Sequence, residues 1–262
     1  MTLKIGINGF GRIGKLTLRA INQRYRNKLE VVAVNNWSDA RINAHLVKWD
    51  STYGRYQGKV EPDGDSIIVD GKRIKIFNEA EPSTLHWGEY GVDIVIESSG
   101  RFTDAHDSHV HIENGVKKVL ISAPSVNEDI MLVYGVNHES YDPEKHHVLS
   151  NASCTTNCVT PVAKVLQNSF GIEKALMTTV HAVTSDQRLL DGRHDDLRRG
   201  RTAVNNIILT TTGAARAVTN VIPELEGKIH GIALRVPVAT VSVVDLVATL
   251  ERDVTVDEVI SQ

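Results

Sequence analysis

Two short stretches of this sequence combine residue types that do chemistry. The first is Ser153-Cys154-Thr155-Thr156-Asn157-Cys158, small and polar just ahead of an apolar segment that reads as a helix to Asn168. Cys154 therefore falls at or beside a helix N-terminus, where the dipole stabilises a thiolate, the form of cysteine that attacks carbonyl carbon. Cys158, one turn further in, reads as a buried structural cysteine. Two cysteines at this spacing without a second ligand pair do not make a zinc site, so no metal is expected. The second stretch is Gly9-Phe10-Gly11-Arg12-Ile13-Gly14, a G-x-G-x-x-G turn that follows an apolar run. Glycines there let the backbone approach a pyrophosphate seated on the next helix's N-terminus.

The elements that carry these stretches follow from periodicity. A strand from Leu3 to Ile7, the glycine turn, a helical pattern (Ile13, Leu16, Leu18, Ile21) and a strand from Glu30 to Val34 make one βαβ unit. Val92 to Ser98 and Lys118 to Ser122 are short and apolar, as buried parallel strands are. This alternation predicts an α/β fold with a doubly wound parallel sheet. Gly64 and Asp70-Gly71 punctuate alternating runs, which predicts a hairpin insertion over 56–78. From Ser153 the pattern changes to a helix, an apolar run from Ala175 to Val183, an arginine-rich loop over 185–201, and apolar runs at 229–238 and 241–250. The expected domains are 1–152, binding a dinucleotide, and 153–262.

An acidic residue that bonds the ribose of NAD is expected roughly 20 residues beyond the turn, but Asn35-Asn36 stands there. A neutral Asn36 forfeits a charge-assisted bond and also removes the repulsion that would exclude a 2′-phosphate, so NAD and NADP both fit. The balance of 29 basic against 32 acidic residues, a net charge of -3, provides no field for nucleic acid or an anionic membrane. Anions must be bound by local sites. With only two cysteines and no apolar window approaching the ~18 residues of a membrane span, a reducing, cytoplasmic setting is expected.

Six segments together, NGFGRIG at 8–14, SCTTNC at 153–158, TTVHAVTSDQ at 178–187, DLRRGR at 196–201, TTTGAA at 210–215 and ALRVPV at 233–238, resemble the glyceraldehyde-3-phosphate dehydrogenase family in order and spacing. The resemblance implies a Rossmann-type first domain and an α+β catalytic domain with a mixed or antiparallel sheet. It implies phosphorylating oxidation of glyceraldehyde 3-phosphate through a thioester on Cys154, with His181 as base and NAD or NADP as hydride acceptor. Asn8, Gly9, Phe10, Gly11, Arg12, Ile13, Gly14, Asn36, Ser98, Gly100 and Ser122 are then the nucleotide-binding residues. Thr184 and Arg235 are expected at the substrate phosphate, Ser153, Thr212, Gly213 and Arg201 at inorganic phosphate, and Thr155 among the residues of the two phosphate sites. Arg198 and Arg199 are left as surface charges.

The related erythrose-4-phosphate dehydrogenases share the cysteine motif, but Thr184 and TTTGAA look more like the triose enzyme. A non-catalytic nucleotide-binding fragment is the other alternative. The resemblance further implies a homotetramer, with the 185–201 loop in its packing and Gly192-Arg193 in place of an apolar residue and proline, so that Arg193 is a candidate partner for a 2′-phosphate. Family members continue for roughly a fifth of their length beyond Gln262. The catalytic domain is therefore expected to be truncated, and the 262-residue chain alone to be unstable or nearly inactive, with exposed strand edges.

Overall fold

A computed structural model describes residues 2–262. The chain forms two compact units, one running to Met131 and including Tyr141–Ala152, the other comprising Leu132–Ser140 and Ser153–Gln262. The first unit holds β1 (Leu3–Asn8), α1 (Arg12–Ala20), β2 (Leu29–Asn35), α2 (Ala40–Lys48) and a small ladder of β3 (Trp49–Asp50) with β4 (Gly54–Arg55). It continues through β5 (Val60–Asp63), β6 (Ser66–Val69), β7 (Lys72–Phe77), β8 (Ile94–Glu97), α3 (Ala105–Ser108), α4 (Val110–Glu113), β9 (Lys118–Ile121), β10 (Ile130–Met131) and β11 (Val148–Ser150).

Nine of these strands make one sheet in the order β10-β11-β9-β8-β1-β2-β7-β6-β5. From β10 to β7 every pairing is parallel, while β6 and β5 add an antiparallel edge. Residues 56–78 are therefore not an insertion apart from the sheet. β7 pairs with β2, Ala33 opposite Lys75, because Ile74 and Ile76 alternate into the same core as Ile5 and Ile7. On one face, Leu18 of α1 and Ala44 and Val47 of α2 join that core. On the other, Trp87, Leu85 and Val92 pack with Ala33 and Val95. Each large side chain buried here stabilises the fold by about 1.5–3 kcal/mol.

The buried face of α1 differs from the predicted one. Gly14, Lys15, Leu18 and Arg19 turn inward, while Ile13 is 54% exposed. The cause is Gly14, where a Cβ would stand 2.6 Å from the Gly9 carbonyl oxygen. Helix and strand approach that closely only along the row of residues 14, 18 and 21, and the charged ends of Lys15 and Arg19 are then met by backbone carbonyls of Phe10, Val47 and Gly54.

The second unit contains α5 (Cys154–Phe170), β12 (Ile172–Ala182), β13 (Ile208–Thr210), α6 (Ala214–Val221), β14 (Ile229–Val236), β15 (Val243–Leu250) and α7 (Val256–Ile260). Its sheet, ordered β13-β14-β12-β15, is mixed: β14 runs parallel to β12, and β13 and β15 are antiparallel. Along β12, Ala175, Met177 and Thr179 are buried. The opposite face carries Leu176, Ile232, Val243 and Val247, all at least half exposed. Among the described residues no helix is long and apolar enough to cross a membrane.

Candidate active site

At the C-terminal ends of β1, β2 and β8 lies a cavity of about 200 Å³. Asn8, Gly9, Gly11, Asn36 and Ser98 are among the residues lining it. Gly9 has φ +89°, and a Cβ there would stand 2.2 Å from the Ser99 nitrogen, so no other residue takes this turn without displacing the backbone. At Gly11 a Cβ would meet nothing within 4 Å. That space, together with the first turn of α1, which has no side-chain cap and no acidic residue, forms a cradle for an anion. Asn36 donates to Asn43 Oδ1 at 2.8 Å and to the Phe10 carbonyl at 3.3 Å, so what it can offer a ribose hydroxyl is its amide oxygen.

The other expected nucleotide residues sit around this cavity in different ways. Phe10 is fully buried, and Ile13 faces solvent. Arg12 pairs with Asp50 at 3.0 Å. The Ser122 amide donates to the Glu97 carbonyl at 2.9 Å, and Gly100 takes φ +73° in the loop after β8. Of these five with Gly14, none lines the cavity wall. Arg101, not singled out in the sequence, does line it, with its guanidinium over the Trp37 ring at 5.6 Å.

The candidate reactive centre of the second unit starts from α5. Ser153 is its N-cap, the hydroxyl accepting from the Thr156 amide at 2.9 Å, and this places Cys154 at the first helical position. β12 brings His181 to it from the helix-covered face. Cys154 Sγ and His181 Nε2 are 3.0 Å apart, while Thr155 and Thr179 hydroxyls meet behind them at 3.4 Å. The hydrogen bond from His181, opposed by partial burial, holds the Cys154 thiol below its ordinary pKa. The same bond raises His181 against desolvation. Opposite shifts of the two partners favour the thiolate–imidazolium pair. Cys158 corrects the expectation of a buried cysteine. It is exposed, because four residues put it on the same face of α5 as Cys154, while Thr155, Thr156, Val159 and Thr160 form the buried face.

Beside His181 stands Arg235, its neighbour across the β12–β14 ladder. Arg235 Nη1 lies 3.2 Å from the Ala182 carbonyl and 2.6 Å from His181 Nδ1. Nδ1 thus has two neighbours, the Ala182 carbonyl at 2.7 Å and the guanidinium: with its proton directed to the carbonyl it is crowded by the Arg235 charge, and without that proton it accepts from Arg235. Desolvation and then the charge of Arg199 make Arg235 less willing to hold its proton. Its Nε is buried with no hydrogen-bond partner. A half-buried guanidinium with an orphaned donor has the chemistry that an anion would satisfy.

Arg199 is the residue that sequence reasoning set aside. Its guanidinium reaches Asp186 at 2.9 Å, Thr210 Oγ1 at 2.8 Å and the Thr211 carbonyl at 3.2 Å. Two acids of the same loop, Asp186 and Asp196, are its partners. Arg201 instead pairs with Asp191 at 2.7 Å and is largely exposed; it is not brought to Arg235. Thr184 is pinned by Gln187, which accepts from its amide and hydroxyl at 2.9 and 3.2 Å. Thr212 accepts from the Ala214 amide at 3.1 Å at the start of α6, whose N-cap is Gly213. Arg193 is exposed, and its carbonyl takes the Arg188 Nε–H at 2.8 Å.

Comparison with known proteins finds one family in both units. Residues 3–105 match the family model described as glyceraldehyde 3-phosphate dehydrogenase, NAD binding domain, and residues 153–262 match its C-terminal domain. Among similar proteins, the glyceraldehyde-3-phosphate dehydrogenase of Geobacillus stearothermophilus is 57% identical over 99% of this chain and 77% of its own length. That of Streptomyces coelicolor is 58% identical over the same shares. Glyceraldehyde-3-phosphate dehydrogenase 1 of Bacillus subtilis is 52% identical, again over 99% and 77%.

Proposed function

This chain belongs to the glyceraldehyde-3-phosphate dehydrogenase family, and from that premise we propose that it oxidises glyceraldehyde 3-phosphate with inorganic phosphate to an acyl phosphate. The observation that carries the reading is the 3.0 Å approach of Cys154 Sγ to His181 Nε2. An aldehyde surrenders hydride poorly until a nucleophile adds to it. The Cys154 thiolate adds to the aldehyde carbon, and the imidazolium of His181 gives its Nε2 proton to the oxyanion that forms, which leaves a hemithioacetal and a neutral imidazole. His181 then takes the hydroxyl proton of the hemithioacetal as C–H hydride departs, leaving a thioester on Sγ. Bound NAD or NADP supplies the acceptor for that hydride. A phosphate oxygen attacks the thioester carbonyl, the C–S bond breaks, and Cys154 leaves as the thiolate it began as.

The site residues divide accordingly. Arg235 and Thr184 hold the substrate phosphate, the orphaned Arg235 Nε being the donor that an anion satisfies. Ser153, Thr155, Thr212 and Gly213 frame the attacking phosphate, with Arg199 rather than Arg201 as the cation. Residues 1–152 bind the nucleotide through Asn8, the 9–14 turn, Asn36 and Ser98, with Gly100 and Ser122 shaping the strand ends; residues 153–262 carry the chemistry. Arg101 beside the uncharged Asn36 suits a 2′-phosphate, so both nucleotides are accepted. The exposed apolar sheet face around Leu176, Ile232 and Val247, with Leu189, Leu190 and Leu197 in the loop 71–84% exposed, is the surface through which a homotetramer assembles. A reducing cytoplasm keeps the exposed Cys154 active.

The test is nucleotide reduction by the full-length protein with glyceraldehyde 3-phosphate, with and without phosphate, using NAD and NADP in turn. Phosphate-dependent turnover is expected, and Cys154→Ser should lose it by about 10⁴-fold or more. Turnover that ignores either the phosphate or the substitution would remove the thioester mechanism.

A further inference from the structure

Below the glycine turn lies a group of buried titratable side chains that the chemistry at Cys154 does not use. His111, on α4, is completely buried, as is Trp87, and Glu97 at the end of β8 is 2% exposed. The Trp87 indole N–H can only donate, and it donates to His111 Nδ1 at 3.0 Å. The ring proton is thereby confined to Nε2, which faces Glu97 Oε2 at 3.2 Å. The same oxygen accepts from Asn8 Nδ2 at 2.5 Å. Glu97 Oε1 accepts from the Ser99 amide at 2.8 Å and from the Ser99 hydroxyl at 2.5 Å. Four donors converge on one carboxylate, two on each oxygen.

Three of those bonds lead to the nucleotide cavity. Asn8 and Ser99 line it, and Ser99 is the backbone that the turn at Gly9 passes so closely. Where Glu97 holds Ser99 therefore decides the path of the glycine turn. Trp87 is itself seated by Gly6, where a Cβ would stand 2.9 Å from the indole, and by Phe77, edge-on at 5.3 Å. His111 lines no part of the cavity, yet it links the seated indole to the carboxylate, bonded to both.

We propose that His111 is a positioning residue for nucleotide binding: clamped by Trp87, it fixes the Glu97 carboxylate, which holds Asn8 and the Ser99 backbone against Gly9. The inference rests on the reading of this cavity as the nucleotide site. A histidine that merely fills the core would stabilise the fold when present and leave nucleotide affinity alone; one that positions the turn ties affinity to the pair of hydrogen bonds it makes.

The experiment titrates full-length wild type, His111→Phe and His111→Gln with NAD and NADP by calorimetry, beside steady-state kinetics and the alkylation rate of Cys154 without nucleotide. In His111→Phe, which keeps an aromatic ring and loses both bonds, Kd and nucleotide KM should rise about tenfold. In His111→Gln, whose amide offers an acceptor to Trp87 and a donor to Glu97, they should stay within about threefold of wild type. Alkylation of Cys154 and kcat at saturating nucleotide should hold within about twofold in both. If His111→Phe does not accumulate folded, His111→Asn, too short to span both partners, takes its place with the same expectation. Binding by wild type with an unchanged Kd in the Phe or Asn variant, even with a lower Tm, overturns the inference alone. Failure of wild type to bind either nucleotide overturns the cavity reading and the inference with it.

Discussion

Around the nucleotide cavity, hydrogen-bonding capacity is largely spent within the protein. Asn35 Nδ2 is shared between Asn8 Oδ1 at 2.8 Å and the Glu79 carbonyl at 2.9 Å, its own oxygen takes the Glu79 amide, and Glu97 is met by four donors. Around Cys154 the opposite holds. Arg235 Nε is buried without a partner, Arg235 crowds His181, and a second guanidinium acts on it from Arg199. A binding site of fixed shape is one whose walls are satisfied before the ligand arrives. A reactive site that must stabilise charge appearing during the reaction keeps donors uncommitted, at a cost in stability. The two halves of the molecule should therefore respond differently to mutation: affinity is lost in the first unit, rate and charge recognition in the second.

The comparison breaks most sharply at His181. His181→Asn should lower kcat by about 10²–10⁴-fold with little change in nucleotide KM. It should also move the pH dependence of Cys154 alkylation. In wild type the thiol pKa is depressed, chiefly by the hydrogen bond from His181, so the thiolate persists as pH falls and reactivity is lost only through that lowered value. Without the imidazole the inflection should rise toward that of a free thiol, slowing alkylation at pH 7 by roughly 10-fold or more. An unmoved inflection would mean that the helix N-terminus, not His181, activates the sulfur.

Much of this division was legible in the residues. The strand–glycine–helix order around Gly9 and the alternation that follows it favoured a doubly wound parallel sheet, and the small polar run ahead of an apolar helix placed Cys154 at or beside a helix N-terminus. What escaped were facts of partnership across long sequence separations. Nothing in the spacing of Trp87, Glu97 and His111 marks them as one hydrogen-bonded chain. β7 reads as half of a hairpin until its parallel partner β2 is seen. Cys158 was expected inside because cysteines are usually buried, although its i+4 relation to Cys154 already placed both on one face. In the DLRRGR segment charge alone could not say which arginine turns inward; Asp186, thirteen positions before Arg199, decided it.

That last case sharpens the comparison at intermediate scale. Arg199→Leu should raise the KM for phosphate or for glyceraldehyde 3-phosphate by about 10–100-fold, the loss of one partly buried charge-assisted contact. Arg201→Leu, which breaks only an exposed pair with Asp191, should change either KM by less than about twofold. Steady-state kinetics of the two variants side by side are the check. Reversal of their order would return Arg201 to the anion site.

The smallest effect is expected in the first unit, at a buried cation whose acceptor is a backbone carbonyl. Lys15 is 7% exposed; its ammonium donates to the Phe10 carbonyl and lies 4.7 Å from the Phe10 ring centroid. Burial lowers its pKa from 10.5 to about 8. Because the folded value lies below the unfolded one, the unfolded chain binds more protons between roughly pH 8 and 10.4, and stability should rise with pH across that window. Below it, the buried charge is a standing cost. Lys15→Met should therefore raise stability at pH 7 by about 1–3 kcal/mol, or a few degrees in Tm, with Asn36 still donating to the Phe10 carbonyl at 3.3 Å, and should flatten the pH dependence from 8 to 10. Since Lys15 does not line the nucleotide cavity, the nucleotide Kd should change by less than about threefold. Denaturant melts of both proteins at pH 7 and pH 10 decide it: a less stable Lys15→Met that keeps the wild-type pH slope would show the ammonium to be satisfied where it sits, and the first unit to follow its rule without exception.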